Sequence, residues 1–224
     1  LPRGAAAVSA RMPEIVLYAS IASRSLTAFW MFEELGANVV YRWQDTDIKA
    51  RKHKSPEYVA INPTGRVPAI TVDGVLISER PAICMYLADR FSYGVLAPKM
   101  EAPERGTYLR WMVYATAALD PAITLKAHGV EQQVAFAPFN RLDAVVAEIG
   151  AALAAKQWLL GDRFTAADVV LGSILAMAHY NKQLPANVEV RAYLARLNTR
   201  PALQRAIATT FPPHVIEEAR RREA

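Results

Sequence analysis

The sequence predicts an α/β domain followed by an all-helical one, together spanning 224 residues. Three observations predict this. A β-branched and aromatic run at Glu14–Ala19 gives way at Ser23 to helical spacing and is followed by a second strand-like run from Asn38, the order of a parallel strand pair joined by a right-handed crossover helix. Asp73-Gly74 splits two further apolar runs, a strong local signal for a tight hairpin. Beyond Pro103 the periodic segments are Ala-rich at helical spacing, with no strand pattern.

Each element follows from its residues. Glu14–Ala19 (EIVLYA) is the first strand, and Ser23–Leu35 repeats Leu26, Phe29, Trp30 and Phe32 at helical spacing until Gly36 stops it. Asn38–Trp43 (NVVYRW) is expected to be the second strand, after which a charged loop leads into a short helix near Ser55–Val59. Val67–Val72 and Val75–Ile77 should pair antiparallel, and Arg80–Phe91 carries Ile83, Leu87 and Phe91 at a spacing that packs a helix back on the sheet. Gly94, Pro98 and Pro103 punctuate the stretch that follows, which sets the expected division: residues 13–92 as the first domain, 93–100 as a linker and 101–224 as the helical domain. Residues 1–12 (LPRGAAAVSARM) are expected to be a disordered appended segment ahead of a natural start at Met12.

In the second domain, helical patterns cover Glu104–Lys126, Pro138–Ala155, Ala166–Asn181 and Val188–Asn198. The string FTAADV marks one start sharply. Thr165 can cap the helix, Asp168 can return the bond, and Phe164 and Val169 occupy the flanking staple positions.

Composition narrows the function. A hydrophobic share of 53% is too apolar for disorder, while charge interrupts every run before it could span a membrane, so a soluble protein is expected. One cysteine, Cys84, excludes an internal disulfide framework and a Cys/His zinc cluster, which makes a reducing cytoplasm the expected compartment and predicts no metal. The net charge of +5 does not describe an extended basic stripe. Arg3 and Arg11 lie in the appended segment; Arg220, Arg221 and Arg222 are balanced by Glu217, Glu218 and Glu223. What remains clusters in Lys49, Arg51, Lys52, His53 and Lys54, a patch suited to a small anion rather than to nucleic acid.

The order strand, helix, strand, then a loop ending in Val67-Pro68, a hairpin and a helix resembles the thioredoxin-like arrangement. Several strings resemble its glutathione-transferase version: NPTGRVPAI, SERPAICMYLADRF, ASRSLTAFWMFEELG, RWMVYATAALDP, GDRFTAADV and the LAP of the linker. Their order and spacing cover nearly the whole chain from Pro13. The resemblance implies an N-terminal thioredoxin-like βαβαββα domain that holds glutathione, an all-helical C-terminal domain that shapes the second substrate's pocket, and a homodimer. The implied activity is conjugation of the glutathione thiolate to a hydrophobic electrophile; a glutathione-dependent peroxidase or disulfide reductase, or a non-catalytic ligand-binding protein, shares the same fold.

The resemblance also assigns residues. The proline of its Val-Pro pair is cis, which would turn the Val67 backbone N–H and C=O toward the tripeptide at Val67-Pro68. Glu79 takes the ligand's α-amino group and Arg80, where the common pattern has serine, its carboxylate; Arg80 could equally face solvent. Their place at the start of a helix suits an anion. Lys54, or a neighbour in the basic loop, and Arg66 fall near the glycyl carboxylate. The thiol of glutathione titrates near ~8.5 as a free group, so the chain need only favour its thiolate, for which one hydroxyl and a helix N-terminus suffice. Ser23 is the first candidate for that hydroxyl, with Ser20, Ser25 and Tyr18 as alternatives in the same turn. Counting back from Gly36 places the usual serine position at Ala22 and the bacterial cysteine position at Arg24. The cysteine class also carries an Asn and a His-Lys pair where this chain has Val113, Asp120 and Pro121. Cys84 reads as a small buried hydrophobe, Tyr108, Trp111 and Tyr114 as a core and interface stripe, and His128 and His179 as structural.

Overall fold

The structure, a computed structural model, describes residues 12–130 and 141–217. The expected features at Arg3, Arg11, Pro138, Glu218, Arg220, Arg221, Arg222 and Glu223 lie outside the described residues.

The fold is thioredoxin-like, followed by helices. Strand β1 (Ile15–Ala19) runs parallel to β2 (Arg42–Asp45) and antiparallel to β3 (Ala69–Val72), which pairs antiparallel with β4 (Val75–Ser78), giving the sheet order β2-β1-β3-β4. Because side chains alternate along a strand, β1 feeds two cores. Ile15, Leu17 and Ala19 join the large one with helices α1 (Leu26–Leu35) and α3 (Arg80–Phe91), while Val16 and Tyr18 pack with Tyr58 of α2 (Pro56–Ile61) on the other face.

Two expected boundaries shift. The second strand begins at Arg42 rather than Asn38: Gly36–Asn38 forms a 3-10 turn, Val39 is buried, and Tyr41 stacks on Phe32 with ring centroids 4.0 Å apart before ladder pairing starts opposite Val16. Packing, not pairing, consumed that apolar run. Helix α1 begins at Leu26 rather than Ser23, because the serines ahead of it bond local backbone instead of extending the helix.

Beyond the sheet, the described elements are helices: α4 (Arg105–Tyr114), which continues through a π turn at Ala115–Leu119 into α5 (Asp120–Ala127), then α6 (Leu142–Leu153), α7 (Ala166–Tyr180), α8 (Val188–Asn198) and α9 (Pro201–Thr210). Helix α9 is absent from the sequence expectation although Pro201 at its start and Ala202, Leu203, Ala206 and Thr210 on its buried face are legible in retrospect. It packs along α1. Helix α7 is almost wholly buried, and it meets α1 at Gly172, where an added Cβ would lie 2.5 Å from Leu197 and 3.4 Å from the Trp30 ring. The Thr27 and Ser173 hydroxyls, 2.7 Å apart and buried, close the same junction.

The start of α7 carries the expected capping box. The Asp168 carboxylate accepts from the Thr165 N–H at 2.8 Å, the Thr165 hydroxyl at 3.1 Å, the Leu159 N–H at 3.0 Å and the Tyr193 hydroxyl at 3.0 Å. Burial pushes this carboxyl up to about 6, with those donors pulling the other way. Among the described residues, no helix is long and apolar enough to cross a membrane. Replacing Thr165 by Ala removes one donor from a buried cap and is expected to lower stability by about 1 kcal/mol, read as a shifted urea midpoint with an unchanged slope.

Candidate functional site

The geometry of the site starts with the turn ahead of α1. Ala22 adopts a left-handed backbone (φ 51) and its N–H donates to the Thr210 carbonyl at the end of α9, at 2.9 Å. The three serines then bond one another. The Ser23 hydroxyl donates to the Ser20 carbonyl at 2.6 Å and lies 3.0 Å from Ser25 Oγ, while the Ser25 N–H donates to Ser23 Oγ at 3.1 Å. Ser20 Oγ accepts from the Ile48 N–H at 3.3 Å and the Ser20 N–H donates to Ser25 Oγ at 3.2 Å. Only Ser23 of these faces the cavity that the turn borders. Ser20 and Ser25 are buried beneath it, and Tyr18 points to the opposite side of the sheet, its ring 5.6 Å from that of Tyr58.

That cavity measures about 870 Å³. One wall comes from the sheet-bearing half: Ser23, Lys54, Arg66, Val67, Pro68, Glu79 and Arg80 all line it, so the residues singled out from the sequence converge, apart from the three alternative hydroxyls. The other wall is helical. Thr116, Asp120 and Thr124 recur every fourth residue along the π turn and α5, which places them in one stripe, with Pro121, Leu125 and Met177 beside them.

The loop before β3 is held rigidly. Asn62 is buried and its side-chain amide donates to the Arg66 carbonyl at 2.9 Å, which also accepts from the Tyr58 hydroxyl at 2.6 Å; Asn62 Oδ1 accepts from the Thr64 hydroxyl at 2.9 Å. The Val67-Pro68 peptide is cis. Lys54 donates to the Thr64 carbonyl at 3.2 Å, so the basic loop is strapped to this one. Gly65 sits between them at φ +57, and a Cβ there would lie 2.9 Å from the His53 carbonyl oxygen and 2.9 Å from Lys54 Nζ. His53 also lines the cavity, and its Nδ1 is buried with no partner among the described residues.

Charge is arranged unevenly. Glu79 occupies a left-handed backbone (φ 70) at the cap of α3, a strained placement for a residue with a Cβ. Arg80 follows, with Pro81 removing one of the free N–H groups of that first turn. The Arg80 guanidinium, with 10% of its side chain exposed, makes a very short hydrogen bond to Asp120, and Arg24 reaches the other oxygen of the same carboxylate at 3.0 Å. Burial moves Arg80 below its ordinary value, Asp120 opposes that shift, and the like charge of Arg24 adds to it. Cys84 lies beneath, buried, its thiol pushed up to about 12 by burial with Arg80 opposing; it is a protonated thiol at neutral pH.

Comparison with known proteins agrees with this architecture. Residues 23–90 match the family description "Glutathione S-transferase, N-terminal domain" and residues 132–196 match "Glutathione S-transferase, C-terminal domain". The chain belongs to the glutathione S-transferase family. Within the family it is 29% identical over 164 residues to glutathione S-transferase GstA of Escherichia coli O157:H7, an alignment covering 72% of this chain and 82% of that protein. A glutathione transferase from Methylococcus capsulatus superposes with a TM-score of 0.74 at 25% identity, over 88% of this chain and 98% of the other. A glutathione transferase family member from Pseudomonas fluorescens, solved with two glutathione bound, shares the fold with a TM-score of 0.70 at 20% identity, over 89% of this chain and 93% of the other.

As a glutathione S-transferase family member, the chain places four further groups at the cavity or behind its walls that its motifs do not single out: the His53 ring, the Asn62 side chain, the Asp120 carboxylate and the Thr210 carbonyl. Asn62 in NPTG carries a readable signal, since an Asn two residues ahead of a Thr is poised for an Asx turn. Nothing local marks Thr210. Gly65→Ala is expected to cost about 1–2 kcal/mol from its left-handed backbone alone and to push the His53–Lys54 segment away from the cavity, measured as a lowered urea midpoint.

Proposed function

We propose that this protein conjugates glutathione to an electrophile in the cavity between the sheet and α5. The convergence of Ser23, Lys54, Arg66, Val67, Glu79 and Arg80 on one cavity is the observation that carries the reading. Family membership and the glutathione bound to a fold neighbour support it.

Glutathione supplies the nucleophilic sulfur; binding it, orienting it and holding its charge fall to the chain. Glu79 is the partner for the α-amino group, and Arg80 offers the neighbouring carboxylate those guanidinium donors not spent on Asp120. Lys54 and Arg66 form the opposite, cationic end for the glycyl carboxylate. Between them the Val67 backbone, which has no partner among the described residues, is free to pair with the tripeptide backbone.

Ser23 holds the thiolate. Its hydroxyl proton turns from the Ser20 carbonyl toward the sulfur while the Ser25 N–H continues to donate to its oxygen, which makes it a stronger donor. The N–H groups of Ser23 and Arg24 have no acceptor among the described residues and add positive potential at the same spot. Lowering a thiol by one unit corresponds to about 1.4 kcal/mol, within reach of this set.

The same proposal includes a cytoplasmic homodimer. Strand β4 leaves one sheet edge open with Val75 exposed, and α4 exposes Leu109 and Val113, apolar groups that a second copy would cover. Sedimentation of a monomer at micromolar concentration would remove that part.

Ser23→Ala is expected to lower kcat about tenfold or more with the KM for glutathione nearly unchanged, and to raise the pH at which the bound thiolate absorbs. Glu79→Ala should instead raise the KM for glutathione. Full turnover in Ser23→Ala with a normal thiolate titration would hand activation to the backbone N–H groups, and failure of the folded protein to bind immobilised glutathione would defeat the reading as a whole.

A further inference from the structure

The helical side of the cavity is mixed: Pro121, Leu125 and Met177 give it apolar surface, and a charged carboxylate stands among them at Asp120. Of the α4 aromatic residues, Tyr108 and Trp111 are buried in the core and the Tyr114 hydroxyl is bound to Glu148; none of them lines the cavity, which instead meets Thr116, Asp120 and Thr124. Against it stand two guanidinium groups sharing one carboxylate. Arg80 is nearly enclosed and spends its charge on Asp120; Arg24 is 52% exposed and reaches the same carboxylate through one donor, leaving the pair-plus-one with a net positive charge displayed mostly by Arg24. Arg24 also directly follows Ser23, on the turn where the sulfur is held in the function proposed above. In the function proposed above, the tripeptide's carboxylates are assigned to the remaining donors of Arg80 at one end and to Lys54 and Arg66 at the other, which leaves Arg24 for a second ligand.

We propose, building on that function, that Arg24 selects a second substrate bearing a carboxylate, held beside the Arg24–Asp120–Arg80 cluster. The electrophile class is thus an acidic one rather than a purely hydrophobic one. Arg24 is a specificity-determining residue: a charged hydrogen bond in a partly enclosed cavity discriminates a carboxylate from its neutral isostere, whereas an apolar wall would reverse the preference. Asp120 keeps the cluster from repelling itself and fixes Arg24 by competing for one of its donors.

The matched probes are 4-chloro-3-nitrobenzoate and 4-chloro-3-nitrobenzamide. With each, the carbon–sulfur bond to glutathione forms as the carbon–chlorine bond breaks, chloride leaves, and the thiol proton passes to solvent. After division by the uncatalysed rates, kcat/KM of the wild-type protein should favour the benzoate by about tenfold. Arg24→Gln should abolish that ratio and Arg24→Lys should restore part of it, with circular dichroism confirming that both variants fold. A ratio that survives in Arg24→Gln, a wild-type preference for the amide, or a loss in Arg24→Gln that falls on the KM for glutathione instead, overturns the inference. Calorimetry with 4-nitrobenzoate and 4-nitrobenzamide on protein saturated with S-methylglutathione separates this from the function itself. An Arg24-dependent preference without conjugation of either chlorinated probe sinks the transferase reading and leaves the selection standing; conjugation of both without preference does the reverse.

Discussion

Everything at the cavity depends on α1 being shared. One face of this helix lies on the sheet and the other is locked into the helical half: Trp30 is fully buried against Gly172 of α7, Thr27 meets the Ser173 hydroxyl, and Glu34 receives the Trp30 indole N–H at 2.8 Å together with both arms of Arg200 at 2.7 Å. A helix held on two sides cannot slide, because close-packed cores resist displacements of even a fraction of a side chain. The turn that opens it is therefore fixed at the seam where the two halves meet, and the cavity has walls from both.

The turn and the loops around it solve a polar accounting problem. The chain crosses the top of the sheet several times, and each crossing leaves backbone groups that need partners. Asn62 and Tyr58 satisfy the Arg66 carbonyl, Ser20 serves the Ile48 N–H, and Ser25 serves the Ser20 N–H, so each side chain below the cavity floor holds a segment still. The Val67 amide and the N–H groups of Ser23 and Arg24 have no partner among the described residues and lie around the cavity, where a ligand could meet them.

How much of this was legible in the residues varied with the range of the interactions. Elements with their own local signal were read closely: the Asp73-Gly74 hairpin, the Arg80–Phe91 helix and the Thr165–Asp168 cap each stand where their residues put them. Segments decided by tertiary packing were not. The run from Asn38 has strand composition throughout, yet Tyr41 is taken by Phe32 before the ladder begins, and α9 is defined by what it covers on α1 more than by its own pattern. At the site, the resemblance of the family's strings pointed to residues that line the cavity, whereas which of the four hydroxyls reaches it required knowing that Tyr18 faces α2 and that Ser20 and Ser25 lie below the floor. The sharing of Asp120 between Arg24 and Arg80 joins positions 96 and 40 residues apart, a distance no local pattern encodes.

The bond from the Ala22 amide to the Thr210 carbonyl ties one of the earliest turns of the chain to one of its last helices. The left-handed turn at Ala22 thus takes its acceptor from a residue far downstream, so the shape of the cavity's edge depends on a helix that lines none of it, and loss of α9 would leave that turn without its anchor.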